Sequence, residues 1–168
     1  NAVDYTQVRE RVRALYQWRY AFQTLLDYQP EPEKDGFYKG LDRKHLKLKV
    51  RELKESGHFS AEFVARWKRY FEGIDHGLRT GHLVWPTNSL PGFMSDVDRW
   101  CNCQDYRNLF WTNLELHNLK VLRYTEEDVV VAGDISLFWT TSGWHSYGIE
   151  LVKRKGGWVV DRMAGFPF

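Results

Sequence analysis

The chain has 168 residues, 43% hydrophobic and 27% charged, which suits one globular domain over 1–168 and excludes a disordered chain. Its net charge of +2 sets 24 Lys or Arg against 22 Asp or Glu, so no overall field favours nucleic acid. No apolar run approaches the ~20 residues of a membrane helix, and no signal peptide is visible. A helical pattern nevertheless begins almost at Asn1. That fits an exported chain whose leader is gone, as well as a chain trimmed at that point; the expected compartment is the periplasm.

In chain order, the spacing predicts a first helix over 4–27. Asp4 caps it, Gln7 is a capping-box partner, and Val8, Val12, Leu15, Trp18, Phe22, Leu25 and Leu26 form its apolar stripe. "QPEPEKDG", 29–36, is a loop. A second helix covers 41–55 on Leu46, Val50 and Leu53, with Gly57 as its stop. Its basic stretch from Lys39 to Lys54 reads as a solvated helix face rather than a nucleic-acid site. Ser60 caps a third helix whose stripe is Phe63, Val64, Trp67, Tyr70, Phe71, Ile74 and Leu78. Residues 80–97 form a long loop. The period then changes: "LHNLKVLRYT", "DVVVAGDISLFWT", "HSYGIELVKR" and "GWVVDRM" read as four antiparallel strands. Gly156 and Gly157 supply the last turn, where both can take positive φ. Helices followed by a meander make an α+β fold.

The densest set of chemically capable side chains is "DRWCNCQDYRNLFW", 98–111. Cys101 and Cys103 stand one residue apart, so a bridge would close a very small ring, and they read as small core residues. With Asp98, Asp105 and His117 they make no zinc spacing, and no metal is expected. Asp98 and Asp105 lie among Trp100, Tyr106 and Trp111, where a buried carboxyl could move protons near neutrality. Asp75-His76 could face the same space. The plainer reading has Asp98 capping a turn and Trp100 in the core.

The element Asp98-Trp100-Gln104-Asp105 and the ending "YGIELVKRKGGWVVDRM", with Leu151-Val152, Gly157, Trp158, Val160 and Asp161, follow a helical first half. Together they resemble the nuclear-transport-factor-2-like superfamily, also called ketosteroid-isomerase-like or cone fold. The resemblance implies N-terminal helices on a curved, cone-shaped, cystatin-like antiparallel sheet, and a homodimer through the open sheet face. The superfamily hosts isomerases, dehydratases, ligand binders, adaptors and immunity proteins, so fold does not deliver function. The chain is most similar to an exported bacterial branch, some of whose neighbours neutralise secreted antibacterial effectors, including cell-wall amidases.

The expected function is therefore a non-catalytic immunity protein that occludes a cognate effector of the type VI secretion kind, without a cofactor. Its expected partner-binding residues are Trp139, Trp144, His145 and Tyr147, around the turn Ser142-Gly143, because Trp and Tyr at accessible positions anchor interfaces. The loop 80–97 offers a second adaptable surface. An alternative is a binder of small hydrophobic ligands whose pocket is lined by Trp67, Phe71, Trp100, Tyr106, Asp98 and Asp105, with Trp139 beside them. A third is a proton-transfer isomerase or dehydratase using Asp98 or Asp105.

Overall fold

A computed structural model describes residues 3–94, 97–103, 110–138 and 144–168, without the side chains of Phe110, Leu137, Phe138, Trp144 and His145. Three helices precede the sheet: α1 (Tyr5–Ala21), α2 (Arg43–Ser56) and α3 (Ala61–Thr80). The expected caps are in place: Asp4 accepts from the Thr6 N–H, and Ser60 from the Phe63 N–H. Asp42 caps α2, and α2 stops at Gly57, whose φ of 73° is the left-handed conformation that suits glycine. The strands are β1 (Glu115–Tyr124), β2 (Val129–Phe138), β3 (Trp144–Arg154) and β4 (Gly157–Met163). They form one open antiparallel sheet in the order β1-β2-β3-β4. Val131, Ile135, Ile149, Leu151 and Val160 join the helical stripes in a single core. The expected α+β class is the observed class. Of the two glycines in the last turn only Gly157 takes positive φ, at 102°.

The first helix ends at Ala21 rather than at 27. The Leu25 N–H donates to Glu52 Oε1 at 2.8 Å, and Lys49 Nζ donates to the Leu25 carbonyl at 2.8 Å. Side chains of α2 thus satisfy the backbone groups that another helical turn would have used. Phe22 and Leu26, placed in the apolar stripe by their spacing, are 61% and 67% exposed.

Trp100 ties the helices to one another. Its ring is fully buried, and its indole N–H donates to Asp27 at 3.0 Å. Its carbonyl accepts from the Tyr16 hydroxyl at 2.6 Å, and its own N–H is held by Asp98 at 3.0 Å. Behind it, the side chain of Lys49 is fully buried. The ammonium donates to Glu52 at 2.8 Å, stands 3.9 Å from Asp27, and lies 5.5 Å from the Trp18 ring. Burial raises the Asp27 carboxyl and lowers the Lys49 ammonium, against their mutual attraction and that of Arg19 and Glu52.

Cys101 and Cys103 form a disulfide, which corrects the reading of two separate thiols. Asn102 between them takes φ 50°, and the Asp98 N–H bonds to the Cys103 carbonyl at 2.9 Å. That tight turn brings the two Cα atoms to 5.2 Å, inside the usual range for a bridge.

At the β4 edge, Val160 exchanges backbone bonds with His58 and Ser60. His58 Nδ1 accepts from Arg11 at 3.0 Å. Burial, then the Arg11 charge, push its pKa down to about 4.

Lys49→Met leaves Glu52 without its buried cation and Asp27 with Arg19 alone, and is expected to cost about 2–4 kcal/mol. Asp27→Asn keeps an acceptor for Trp100 and is expected to cost about 1 kcal/mol. Urea unfolding checks both. His58 binds fewer protons folded than unfolded, so its contribution is complete above pH 6.5 and fades as pH falls to about 4. A shift of this size is worth at most about 3 kcal/mol, and partial exposure brings it to about 1–2 kcal/mol. His58→Gln should flatten that part of the stability–pH curve.

Candidate functional site

The sheet face turned away from the helices carries a groove of about 620 Å³. Its floor is Ala132, Gly133, Gly148 and Ala164; Lys120, Asp134, Glu150 and Arg162 edge it, and Phe166, Pro167 and Phe168 close one end. The strand register makes the row: Lys120 pairs with Ala132, Ala132 with Glu150, and Glu150 with Arg162. Charges of alternating sign therefore stand in this row on β1, β3 and β4, and Glu150 stands 3.8 Å from Arg162. The register of β1 slips between His117 and Lys120, where Asn118 takes φ 52°. This bulge re-aims Asn118, whose amide donates to Asp134 at 3.0 Å. Leu119 crosses over Gly133, where a Cβ would lie 2.7 Å from its Cδ2.

The interior is different. Trp67, Phe71 and Trp100, expected to line a pocket, have no exposed surface. Their rings lie against one another: Trp67 is 4.9 Å from Phe71 and 5.8 Å from Trp100. Phe166 closes on Trp100 at 5.1 Å. They are packed core, and none lines a described cleft. Asp98 accepts from the Tyr20 hydroxyl at 2.9 Å and from the Trp100 N–H, so it holds a turn. Burial, with the Asp98 charge, raises the Tyr20 phenol far above its ordinary value and keeps it a neutral donor.

Tyr147, expected at a partner surface, is 2% exposed. Its hydroxyl donates to the Arg99 carbonyl at 2.6 Å and accepts from the Gly165 N–H at 2.7 Å. It points inward because strand alternation puts it on the face of Ile149 and Leu151. The backbones of Trp144 and His145 open β3, paired with Phe138 and Leu137. Their side chains lie outside the described residues, as do Trp139, Asp105 and Tyr106 entirely. Asp75 faces α2 rather than an inner cavity, bonding Arg43, Arg79 and the Leu41 N–H. Burial alone would raise its carboxyl, but these donors hold it below the ordinary value.

Sequence reasoning missed the groove residues Asn118, Lys120, Asp134, Gly148, Glu150 and Arg162. The available signal was Gly133 and Gly148 inside strand patterns, which marks a bulge or a close approach. Among the described residues no group of three His, Cys, Asp or Glu is placed to hold a metal. The groove offers solvated charges of alternating sign over a floor of small residues. That arrangement suits recognition of a polar, extended or edge-on surface.

No protein-family model matches this chain, and neither a curated protein nor a solved structure matches it. The chemistry must therefore be argued from the residues themselves.

A methyl group at Gly148 would meet the Ala164 Cβ at 3.6 Å and Asp134 at 3.9 Å, both ordinary contacts. Gly148→Ala is therefore expected within about 0.5 kcal/mol of the parent. At Gly165 a Cβ would run into the Arg99 backbone carbonyl. Gly165→Ala is expected to cost at least about 3 kcal/mol. Thermal melts of the pair check the contrast.

Proposed function

We propose that the chain is a non-catalytic binding protein with a cone-like fold, whose open sheet face is its docking surface. In its specific form it is a periplasmic immunity protein that neutralises a secreted antibacterial effector, a cell-wall amidase foremost, by covering the effector's cleft. What supports this reading is the distribution of space. The interior, where a ligand binder or isomerase of this architecture would work, is filled by Trp67, Phe71, Trp100 and Phe166 in ring contact. The open volume lies outside, on the sheet, edged by Lys120, Asp134, Glu150 and Arg162. Alternating rim charges give register and selectivity, while the floor of small residues lets another chain approach the sheet closely. A second copy seated on the same face is the homodimer that this reading includes for the free chain.

The test is inhibition. Purified cell-wall amidases of the secreted-effector class are assayed on peptidoglycan with equimolar chain. Full inhibition is expected, with at least a tenfold loss of potency in Gly148→Phe and Glu150→Arg, both remaining folded by circular dichroism. No inhibition across the panel, together with no complex on gel filtration, overturns the proposal.

A further inference from the structure

A second surface is unlike the groove and lies on the helical side. Phe22 and Leu26 are 61% and 67% exposed, and Leu48 on α2 is 41% exposed. Leu48 and Glu52 share one row of the helix, four residues apart. Glu52 holds the Leu25 N–H, so the segment carrying Phe22 and Leu26 is fastened beside Leu48. Its carbonyl side is fastened as well, by Lys49 to the Leu25 oxygen at 2.8 Å. The apolar tips are therefore presented by an anchored segment, and little order need be gained when they insert into a partner.

The flank is cationic. Lys44, Lys47, Arg51 and Lys54 are exposed along α2 and form no ion pair among the described residues. They extend over about 15 Å of helix. Glu55 is the exposed acid on this side, because Glu52 is bound to Lys49. Of the remaining cations of α2, Arg43 is bound to Asp75, and Lys49 is buried.

We infer that this surface docks the protein on an anionic phospholipid bilayer, with Phe22, Leu26 and Leu48 entering the headgroup region and the α2 cations over the phosphates. Two features favour a bilayer over a protein partner. Neither the sheet groove nor a cleft between α2 and α3, which Lys47 borders with Leu46 and Val50, contains Phe22, Leu26 or Leu48, so a protein would meet these three as separate tips. A fluid interface accepts separate tips, and its negative surface matches a row of lysines and arginines. The inference does not depend on the open-face reading.

The test is sedimentation of the full chain with vesicles of phosphatidylcholine, alone or with phosphatidylglycerol as roughly a third of the lipid. We expect binding to the anionic vesicles that added salt weakens, and none to phosphatidylcholine alone. Each of Lys44→Gln, Lys47→Gln, Arg51→Gln and Lys54→Gln should weaken it about fivefold. The double change Phe22→Ser with Leu26→Ser should weaken it at least tenfold with the charges untouched. A Phe22→Trp variant, read against the parent chain, should add a blue-shifted emission component on the anionic vesicles. Absence of binding to anionic vesicles overturns the inference. So does binding indifferent to all these changes, and so does a patch whose changes weaken only inhibition of an effector, which would make it a protein contact. A parent chain that binds the anionic vesicles but neither inhibits nor complexes any amidase of the panel would sink the open-face reading alone.

Discussion

Lys49 is buried with its ammonium against the Leu25 carbonyl, Glu52 and Asp27, and the helical half is arranged to keep it satisfied. A buried cation without partners would cost several kcal/mol. Here one partner lies in the segment after α1, a second lies on α2 itself, and the third also takes the indole proton of Trp100. Through Trp100 the constraint spreads. Tyr16 of α1 bonds its carbonyl, Trp67 of α3 packs on its ring, and Phe166 reaches it from the segment after β4. Tyr147 of β3 binds the carbonyl of the preceding residue, Arg99, and so joins the sheet to the same turn. The disulfide between Cys101 and Cys103 closes the turn that carries it.

This keystone decides where function has room. Filling the space between helices and sheet with rings leaves little interior volume for chemistry. The carboxylates and phenols there hold backbone groups: Asp98 the Trp100 N–H, Tyr16 the Trp100 carbonyl, Tyr147 the Arg99 carbonyl. The opposite sheet face has the reverse character. Glycine and alanine at Ala132, Gly133, Gly148 and Ala164 hollow it, and charged residues on successive strands mark its edges. On the helical side, the bonds that Glu52 and Lys49 make to Leu25 also set Phe22 and Leu26 outward. The buried cluster thus places the helical-side surface, while strand register and small residues shape the groove.

Much of the fold was legible because it rests on local signals. The caps at Asp4 and Ser60, the stop at Gly57 and the four strand patterns all stand where spacing put them. What escaped was set by contacts distant in sequence. The first helix stops early because of side chains from α2. Lys49 read as part of a solvated basic face, although it falls on the stripe of Leu46 and Leu53, three residues after one and four before the other. Tyr147 read as a surface anchor because its hydroxyl's partners, Arg99 and Gly165, are far along the chain. The cysteine pair was set aside on ring size, without the left-handed Asn102 that makes the turn. In the groove Gly133 and Gly148 carried the local signal, and only cross-strand register brings Lys120, Glu150 and Arg162 into one row.

The most direct measurement is a pair of amide and indole NMR spectra, with and without a secreted cell-wall amidase as candidate effector. We expect the shifts to concentrate on Ala132, Gly133, Gly148 and Glu150, while the indole signals of Trp67 and Trp100 stay in place. Movement of those two indoles with a silent open face would contradict the proposal and return the functional site to the interior.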